Sequence, residues 1–346
     1  MSQRSAVRGR RRVVAAAVTL AALAAGGLAL RAATERPAGG GPPAEPHPEA
    51  AAGATSDPAG QAPGGRGEPG GYRPPVLLGT LAGDRVGESS GLVASRRNPG
   101  LLWTHNDSGG GPLLYCFDRR GGACGVWRVE GARAADWEDV AAGPGPRAGE
   151  AYLYVGDIGD NELGRDHVTV YRLPEPAAGQ PVTGRTATGT AEAIGLRYPD
   201  RPHDAEALLV DPATGDLYLV TKEATGPAGV YRAAAPLAPG AVAVLTFVGH
   251  LALPPAPGAL PPVVTGGDVA PDGRRVALCT YGDAYELRLP PGEPFSAVWR
   301  QQPLRVPLAP RQQGEAIAYR GDGQALLTTS EGLPAPLHQV ERDTSP

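Results

Sequence analysis

Five short apolar segments of this sequence open with a hydroxyl or carboxylate residue, and these residues are the first candidates for chemistry. They are Ser90, Glu138, Glu206, Thr265 and Glu315. If the segments converge, three carboxylates repel one another strongly unless a cation lies between them. Hydroxyl and carboxylate oxygens suit calcium better than zinc or magnesium. We therefore predict a calcium site; the alternative is that these groups bind ordered water and cap the backbone.

A second set of polar residues follows the next apolar run of each segment. The set comprises His105, Asn106 and Asp107; Asp157, Asp160 and Asn161; Lys222 and Glu223; Tyr281 and Asp283; and Glu331. Asp107, Asp160 and His105 are candidates for acid–base catalysis on water beside a metal ion. We expect the others to contact a ligand, and Lys222, the only lysine of the chain, supplies a flexible cation.

The elements that must position these residues are repeated strands. Each segment is followed by a turn rich in Gly or Pro and by a second apolar run, and the openings lie 48, 68, 59 and 50 residues apart. Repeats of this length and composition are typical of propeller blades. We predict an all-β propeller of five four-stranded blades. Six blades are the alternative, if the 68-residue interval holds an extra one.

Blade geometry brings the two sets of polar residues to one face. The two inner strands of a blade run in opposite directions, so the start of the first strand lies beside the end of the second. The register of the fourth segment has two solutions. Asp268 replaces Thr265 in the ring if the turn before Pro271 is one residue shorter.

The last repeat provides only three strands, near 314–319, 324–330 and 336–341. An apolar run at 76–81 precedes the first repeat and belongs to no blade of its own. We predict that it fills the outer position of the last blade and closes the ring, which leaves no free edge. The alternative is a surface strand unrelated to closure.

The N-terminal part of the chain is predicted to be a leader. In residues 1–33, five arginines precede an apolar run at 13–30. This pattern is typical of a secretory signal peptide or of an uncleaved membrane anchor, and both place the propeller outside the cytoplasm. Residues 34–71 are rich in Pro, Gly and Ala and are predicted to form a disordered stalk. Residues 72–346 are the predicted propeller domain.

The charge balance excludes one class of partner. The chain has a net charge of −4, and residues 1–33 hold six arginines and no acid, so the remainder carries −10. Nucleic acid is therefore a poor partner. We expect a monomer that binds a small molecule, a glycan or a cell-envelope ligand, with 13–30 as a membrane anchor if the leader is retained.

Three cysteines in an exported chain leave one unpaired. Cys116 and Cys124 flank a turn, so a disulfide between them is one interpretation and two free thiols are the other. Cys279 lies within an apolar run and is predicted to be a buried free thiol.

The order Ser, Glu, Glu, Thr, Glu at the segment openings resembles the calcium-activated apyrase family. The resemblance implies a five-bladed propeller with a central calcium held by hydroxyl and carboxylate residues. The segment 102–109, Leu-Trp-Thr-His-Asn-Asp-Ser-Gly, is similar to that family's first-blade loop, and 153–160 is similar to its second-blade strand. Asn106 stands in place of an acid and Ser108 in place of a basic residue. Gluconolactonase-like and phytase-like propellers share the acidic channel.

Three function classes follow. The first is a calcium-binding propeller that binds a ligand on its polar channel face. The second is a calcium-dependent hydrolase of phosphate esters or lactones. The third, a structural surface-display domain, is disfavoured because the polar cluster is richer than a solvated rim requires.

Overall fold

The computed structural model describes residues 71–83, 85–108, 110–178, 185–256, 261–311 and 313–343. Within these ranges the chain forms 22 β-strands, numbered β1 to β22 in chain order, and one short 3-10 helix, Phe295–Arg300. The strands make five sheets, which confirms the predicted all-β, five-bladed propeller. The predicted leader, 1–33, and all but the last residue of the predicted stalk, 34–71, lie outside the described residues.

Each blade is one sheet, described here from its innermost strand outward. Blade 1 contains β2 (Ser89–Ala94), β3 (Leu101–Asn106), β4 (Leu113–Asp118), β5 (Ala123–Glu130) and β9 (Arg185–Thr190). Blade 2 contains β6 (Trp137–Pro144), β7 (Ala151–Asp157), β8 (Val168–Pro174), β10 (Glu192–Arg197) and β14 (Val242–Val244). Blade 3 contains β11 (Ala205–Val210), β12 (Leu217–Thr221), β13 (Ala228–Ala233) and β15 (Thr246–Leu251). Blade 4 contains β16 (Val264–Val269), β17 (Arg275–Thr280), β18 (Ala284–Arg288) and β19 (Leu304–Val306). Blade 5 contains β20 (Gly314–Tyr319), β21 (Ala325–Ser330), β22 (Pro336–Glu341) and β1 (Val76–Thr80).

The six-blade alternative is wrong, because the longest interval supplies an outer strand. That interval contains β9, which pairs in parallel with β5 as a fifth strand of blade 1. In the same way β14, from the next interval, pairs in parallel with β10 at the edge of blade 2. Two blades therefore have five strands rather than the predicted four.

The hydrophobic core consists of apolar layers between neighbouring blades. Trp103 of blade 1 and Trp137 and Leu153 of blade 2 are fully buried in one such layer. Leu92 of blade 1 and Leu337 of blade 5 belong to another, so the last blade packs against the first. The fold is thus a closed ring in which every blade buries both of its faces.

The N-terminal strand closes the ring as predicted. β1 pairs antiparallel with β22 as the outermost strand of blade 5. Just before it, Tyr72 bridges to Arg342, and its hydroxyl donates to Glu286 Oε1 at 2.5 Å in blade 4. Glu286 is fully buried and also accepts from the Tyr319 hydroxyl at 3.0 Å. The N-terminal segment therefore joins blades 4 and 5.

Every innermost strand is bulged near its first residue. The register with the second strand shifts between Ser89 and Leu92, Trp137 and Asp139, Ala205 and Ala207, Val264 and Gly266, and Gly314 and Ala316. A bulge inserts one unpaired residue and redirects side chains. The five segment-opening residues of the sequence all fall in these bulges. We call the end of the ring where the innermost strands begin and the second strands end the upper face.

Candidate metal centre

Five carboxylates gather on the upper face in two overlapping groups. Asp107, Asp136 and Glu138 form the first group, and Glu138, Asp204 and Glu206 form the second. In each group one oxygen of every residue lies within 4.8 Å of the others. Glu138 is the member that the groups share. Asp107 follows β3, and each of the two glutamates is the second residue of its innermost strand.

Burial and mutual repulsion raise the pKa values of these acids. Burial is the main cause for Asp107, whose pKa rises to about 8, with contributions from Asp136 and Glu206. Burial also raises the pKa of Glu138 well above its usual range, and Glu206 and Asp107 add to the effect. The pKa of Glu206 rises to about 8 through burial, although Lys222 opposes the rise. The cluster therefore favours any cation that relieves this repulsion.

Lys222 is a cation on the upper face that pairs with the cluster. Its Nζ lies 2.5 Å from Glu206 Oε1 and 5.4 Å from the centre of the Tyr281 ring. Burial lowers the pKa of Lys222, but Glu206, Tyr281 and Glu138 raise it and the net shift is upward. Lys222 therefore stays charged and compensates one of the carboxylates, whereas the sequence analysis assigned it to ligand binding; that role stays a prediction.

Two carboxylates of the cluster have free acceptor capacity despite their burial. Asp107 Oδ1 is buried and has no hydrogen-bond partner. Glu138 is 4 % exposed, and no hydrogen bond to its side chain is found within the described parts of the chain. A buried polar group without a partner is costly. Hard oxygens with unused lone pairs fit a calcium ion, so these residues could hold one, and the calcium itself stays a prediction.

Two aspartates predicted as site residues build the loops that carry the acids. Asp157 accepts from the backbone amides of Ala135 and Asp136 at 3.2 and 3.3 Å and pairs with Arg165 at 2.8 Å. Asp160 accepts from the amides of Gly164 and Arg165 at 3.0 and 2.9 Å.

The backbone amide of Asp160 also donates to Asp204 Oδ1 at 2.7 Å. Asn106 acts in a similar way in blade 1, where its side chain bonds to the backbone of Arg85 and Glu88. These residues therefore orient the cluster through the backbone.

The five segment-opening residues were predicted to form one ring of ligands, but they have different roles in the structure. Ser90 Oγ donates to the Glu138 carbonyl at 2.8 Å, and Thr265 Oγ1 donates to the Gly314 carbonyl at 2.9 Å, so both hydroxyls link neighbouring blades. Thr265, and not Asp268, occupies the bulge of blade 4. Asp268 lies further along β16, where it accepts from the Tyr319 amide at 2.8 Å.

Glu315 belongs to a pair of carboxyl groups. Burial, together with the neighbouring Glu331, raises the pKa of Glu315 to about 8. Burial raises the pKa of Glu331 to about 7. Two carboxyl groups this close repel each other when both are ionised, so the pair favours a proton or a cation between them.

The remaining predicted site residues lie in different surroundings. His105 is fully buried, and its ring lies 5.7 Å from the Trp137 ring, so it packs between blades 1 and 2; burial lowers its pKa to about 4. Asp283 pairs with Arg305 at 2.5 Å. Glu223 accepts from Thr221 at 3.1 Å, and Asn161 is exposed.

The sequence analysis did not identify Asp136 and Asp204 as site residues. Each stands two residues before a glutamate of the cluster, in Asp-Trp-Glu at 136–138 and Asp-Ala-Glu at 204–206. Alternate residues of an extended chain point to the same side. The Asp-x-Glu spacing in two consecutive repeats is the signal that identifies them.

The cysteines are all free in the structure. Cys116 pairs in register with Gly125, and Cys124 is the extra residue of a bulge in β5. The thiols of Cys116 and Cys124 contact each other through a hydrogen bond, so they are neighbours as predicted, and the disulfide itself stays a prediction. Cys279 is buried.

The fold and the carboxylates define a five-bladed β-propeller with a candidate metal centre on one face of its ring. In comparisons with known proteins, no family model matches the chain and no curated protein shows significant similarity to it. The resemblance to the calcium-activated apyrases therefore rests on the short motifs quoted above. Among the described residues, no helix has the length and apolar character needed to cross a membrane.

Proposed function

We propose that this protein is an extracytoplasmic calcium-binding propeller that binds a ligand on its upper face. The observation that carries the proposal is the pair of overlapping three-carboxylate groups joined at Glu138. These ligands are all oxygen atoms, which suits calcium rather than zinc. The extracytoplasmic location rests on the arginine-rich apolar leader in residues 1–33.

The groups around the metal centre favour an anionic or polyhydroxylated ligand. Lys222 and the Tyr281 ring border the carboxylates on one side, and Glu315 and Glu331 add two carboxyl groups that can bond to hydroxyls. A bound calcium ion supplies positive charge that attracts phosphate, carboxylate or sugar oxygens. A glycan, a small molecule or an acidic component of the cell envelope therefore fits this face.

Hydrolysis of a phosphate ester or lactone is the second candidate, and Asp107 is the observation that favours it. Its Oδ1 lacks a hydrogen-bond partner and is therefore able to accept a proton. A calcium ion would supply Lewis acidity to such a reaction. Asp107 would take a proton from water, whereas Asp160 is committed to its loop.

Thermal unfolding with and without calcium tests the metal proposal. A ligand that binds only the folded state at one hundred times its Kd stabilises it by about 2.7 kcal/mol. We expect millimolar calcium to raise the Tm by several degrees and EDTA to reverse the rise. Glu206→Gln should lose most of the rise, whereas Glu150→Gln, an exposed residue in the turn after β6, should keep it. A Tm that does not respond to calcium in the wild type contradicts the proposal.

Whether product forms distinguishes a ligand-binding function from a hydrolase function. Purified protein with calcium is incubated with phosphate esters and lactones, and binding of glycans and acidic polymers is measured in parallel. In a hydrolase, Asp107→Asn abolishes turnover while the substrate still binds, because it removes a base and little contact area. In a binder neither protein forms product and the same change weakens affinity. Calcium-dependent turnover that persists in Asp107→Asn refutes the role of Asp107.

A further inference from the structure

We propose that the upper face holds two calcium ions rather than one, with Glu138 as a ligand shared between them. This inference rests on the proposed function, since it assumes that the carboxylate cluster binds calcium. It specifies the number of bound ions and which carboxylates bind each of them. Asp107 and Asp136 serve one ion, and Asp204 and Glu206 serve the other.

The geometry separates the two ions. Oxygens that bind one calcium ion lie about 2.3–2.6 Å from it, so they are no more than about 5 Å apart. Each three-carboxylate group meets this limit with all its oxygens within 4.8 Å of one another. Among the described residues the groups overlap only at Glu138, and the five residues do not form one larger group. One ion therefore cannot contact all five, whereas two can.

Glu138 has the properties of a bridging ligand. It is 4 % exposed, and its carboxylate accepts no hydrogen bond from the part of the chain that the structure describes. Both oxygens are thus available, one for each ion. Two-metal sites in proteins commonly keep their ions about 3.5–4 Å apart, which a single carboxylate can span.

Gly159 leaves the space that the shared ligand needs. A Cβ atom at this position would lie 2.1 Å from Glu138 Oε1 and 2.7 Å from Asp136 Oδ2. Any side chain would therefore displace the two carboxylates that hold the first ion. The loop backbone is packed closely against the acids at the point where the two groups meet.

The charge balance also favours two ions. When all five carboxylates of the cluster are ionised they carry five negative charges, and Lys222 pairs with one of them. Two divalent ions neutralise the other four. A single ion leaves two charges of this partly buried cluster uncompensated, which is unfavourable.

Counting bound calcium by native mass spectrometry of the full chain tests the inference. We expect two ions in the wild type and in Glu150→Gln. Asp136→Asn and Asp204→Asn should each retain one ion, because each removes a ligand from a different group. Glu138→Gln should weaken both sites. Gly159→Ala should lose the first ion while every ligand is still present.

The wild-type result decides between the proposals even if a variant fails to fold. Two ions support the shared-ligand site. One ion in the wild type overturns the two-ion inference and leaves the calcium-binding function standing. No bound ion overturns both. If the double variant Asp136→Asn/Asp204→Asn still retains one ion, both changes act on the same ion and the assignment of the ligands to two groups is wrong.

Discussion

At the scale of single residues, Asp139 shows how the ring holds a carboxylate without a metal. It follows Glu138 directly, and its Oδ1 accepts from the Val140 amide at 2.8 Å. Its Oδ2 accepts from the amides of Leu208 at 2.9 Å and Gly267 at 3.2 Å. Burial raises its pKa well above the usual range. Asp139 therefore ties blade 2 to blades 3 and 4 through their backbones.

Removing this tie should destabilise the ring. We expect Asp139→Ala to lower the free energy of unfolding by about 3 kcal/mol, because each buried amide left without an acceptor costs about 1–3 kcal/mol. Urea denaturation measures the change. The matched control is Asp166→Ala, whose side chain is 78 % exposed; its effect should stay within about 0.5 kcal/mol. Equal stability of the two variants would contradict the role given to Asp139.

The sequence predicted part of the candidate site for a physical reason. Glu138, Glu206 and Asp107 could be predicted from the sequence, because repeat spacing and antiparallel pairing alone place the strand ends together. Asp136 and Asp204 precede their strands, and the loops that orient them are fixed by Asp157 and by the Asp160 amide. Such loop contacts depend on three-dimensional closure, and only the Asp-x-Glu spacing shared by two repeats marks these residues in the sequence.

At the scale of elements, β1 is the strand that closes the ring. Its pairing with β22 covers the edge of blade 5, and Leu81, just beyond it, is 4 % exposed. The amide of Leu81 also donates to the Ala335 carbonyl at 2.9 Å. Without this segment, β22 would present an unpaired strand edge.

Two truncations test the closure. Deleting residues 76–81 should cause aggregation or loss of cooperative unfolding, because the exposed edge of β22 can pair with another chain. Deleting residues 34–70, the predicted stalk, should leave the Tm nearly unchanged. Size-exclusion chromatography and thermal scans compare the two proteins. If both deletions are tolerated equally, β1 is not needed to close the propeller.

The strands that the sequence did not predict are the parallel ones. β9 and β14 each leave the blade that precedes them in the chain and join the outer edge of an earlier blade. Antiparallel neighbours in a blade are linked by short turns, which a repeat pattern reveals. A parallel strand needs a long connection, so its partner is set by which edge lies within reach after the ring has formed.

At the scale of the whole molecule, the protonation of the upper face is coupled to folding. The pKa values of Asp107, Glu206 and Glu315 rise to about 8 in the folded protein, chiefly through burial. In an unfolded chain these groups titrate near about 4. Between these limits the folded, metal-free protein binds more protons than the unfolded chain does. The stability that these three groups contribute is therefore greatest at low pH and is lost as the pH rises toward 8.

Calcium should oppose this loss, because metal binding needs ionised carboxylates and grows stronger as the pH rises. We expect the Tm of the metal-free protein to fall by at least about 5 °C between pH 5 and pH 8. With millimolar calcium the fall should be smaller. Differential scanning calorimetry at pH 5, 6.5 and 8 measures both series. A metal-free Tm that does not fall over this range would show that the carboxyl groups are already ionised in the folded protein.

The five bulges place the segment-opening residues at positions other than those that pack the blades together. Each innermost strand offers one unpaired position at the same height, and this chain fills the positions with serine, glutamate, glutamate, threonine and glutamate. The apolar layers between blades are built from other residues. Exchanging a glutamate at one bulge should therefore change the candidate metal centre while the packing of the blades is retained. The serine and threonine positions are less free to change, because their hydroxyls bond to the carbonyls of the next blade.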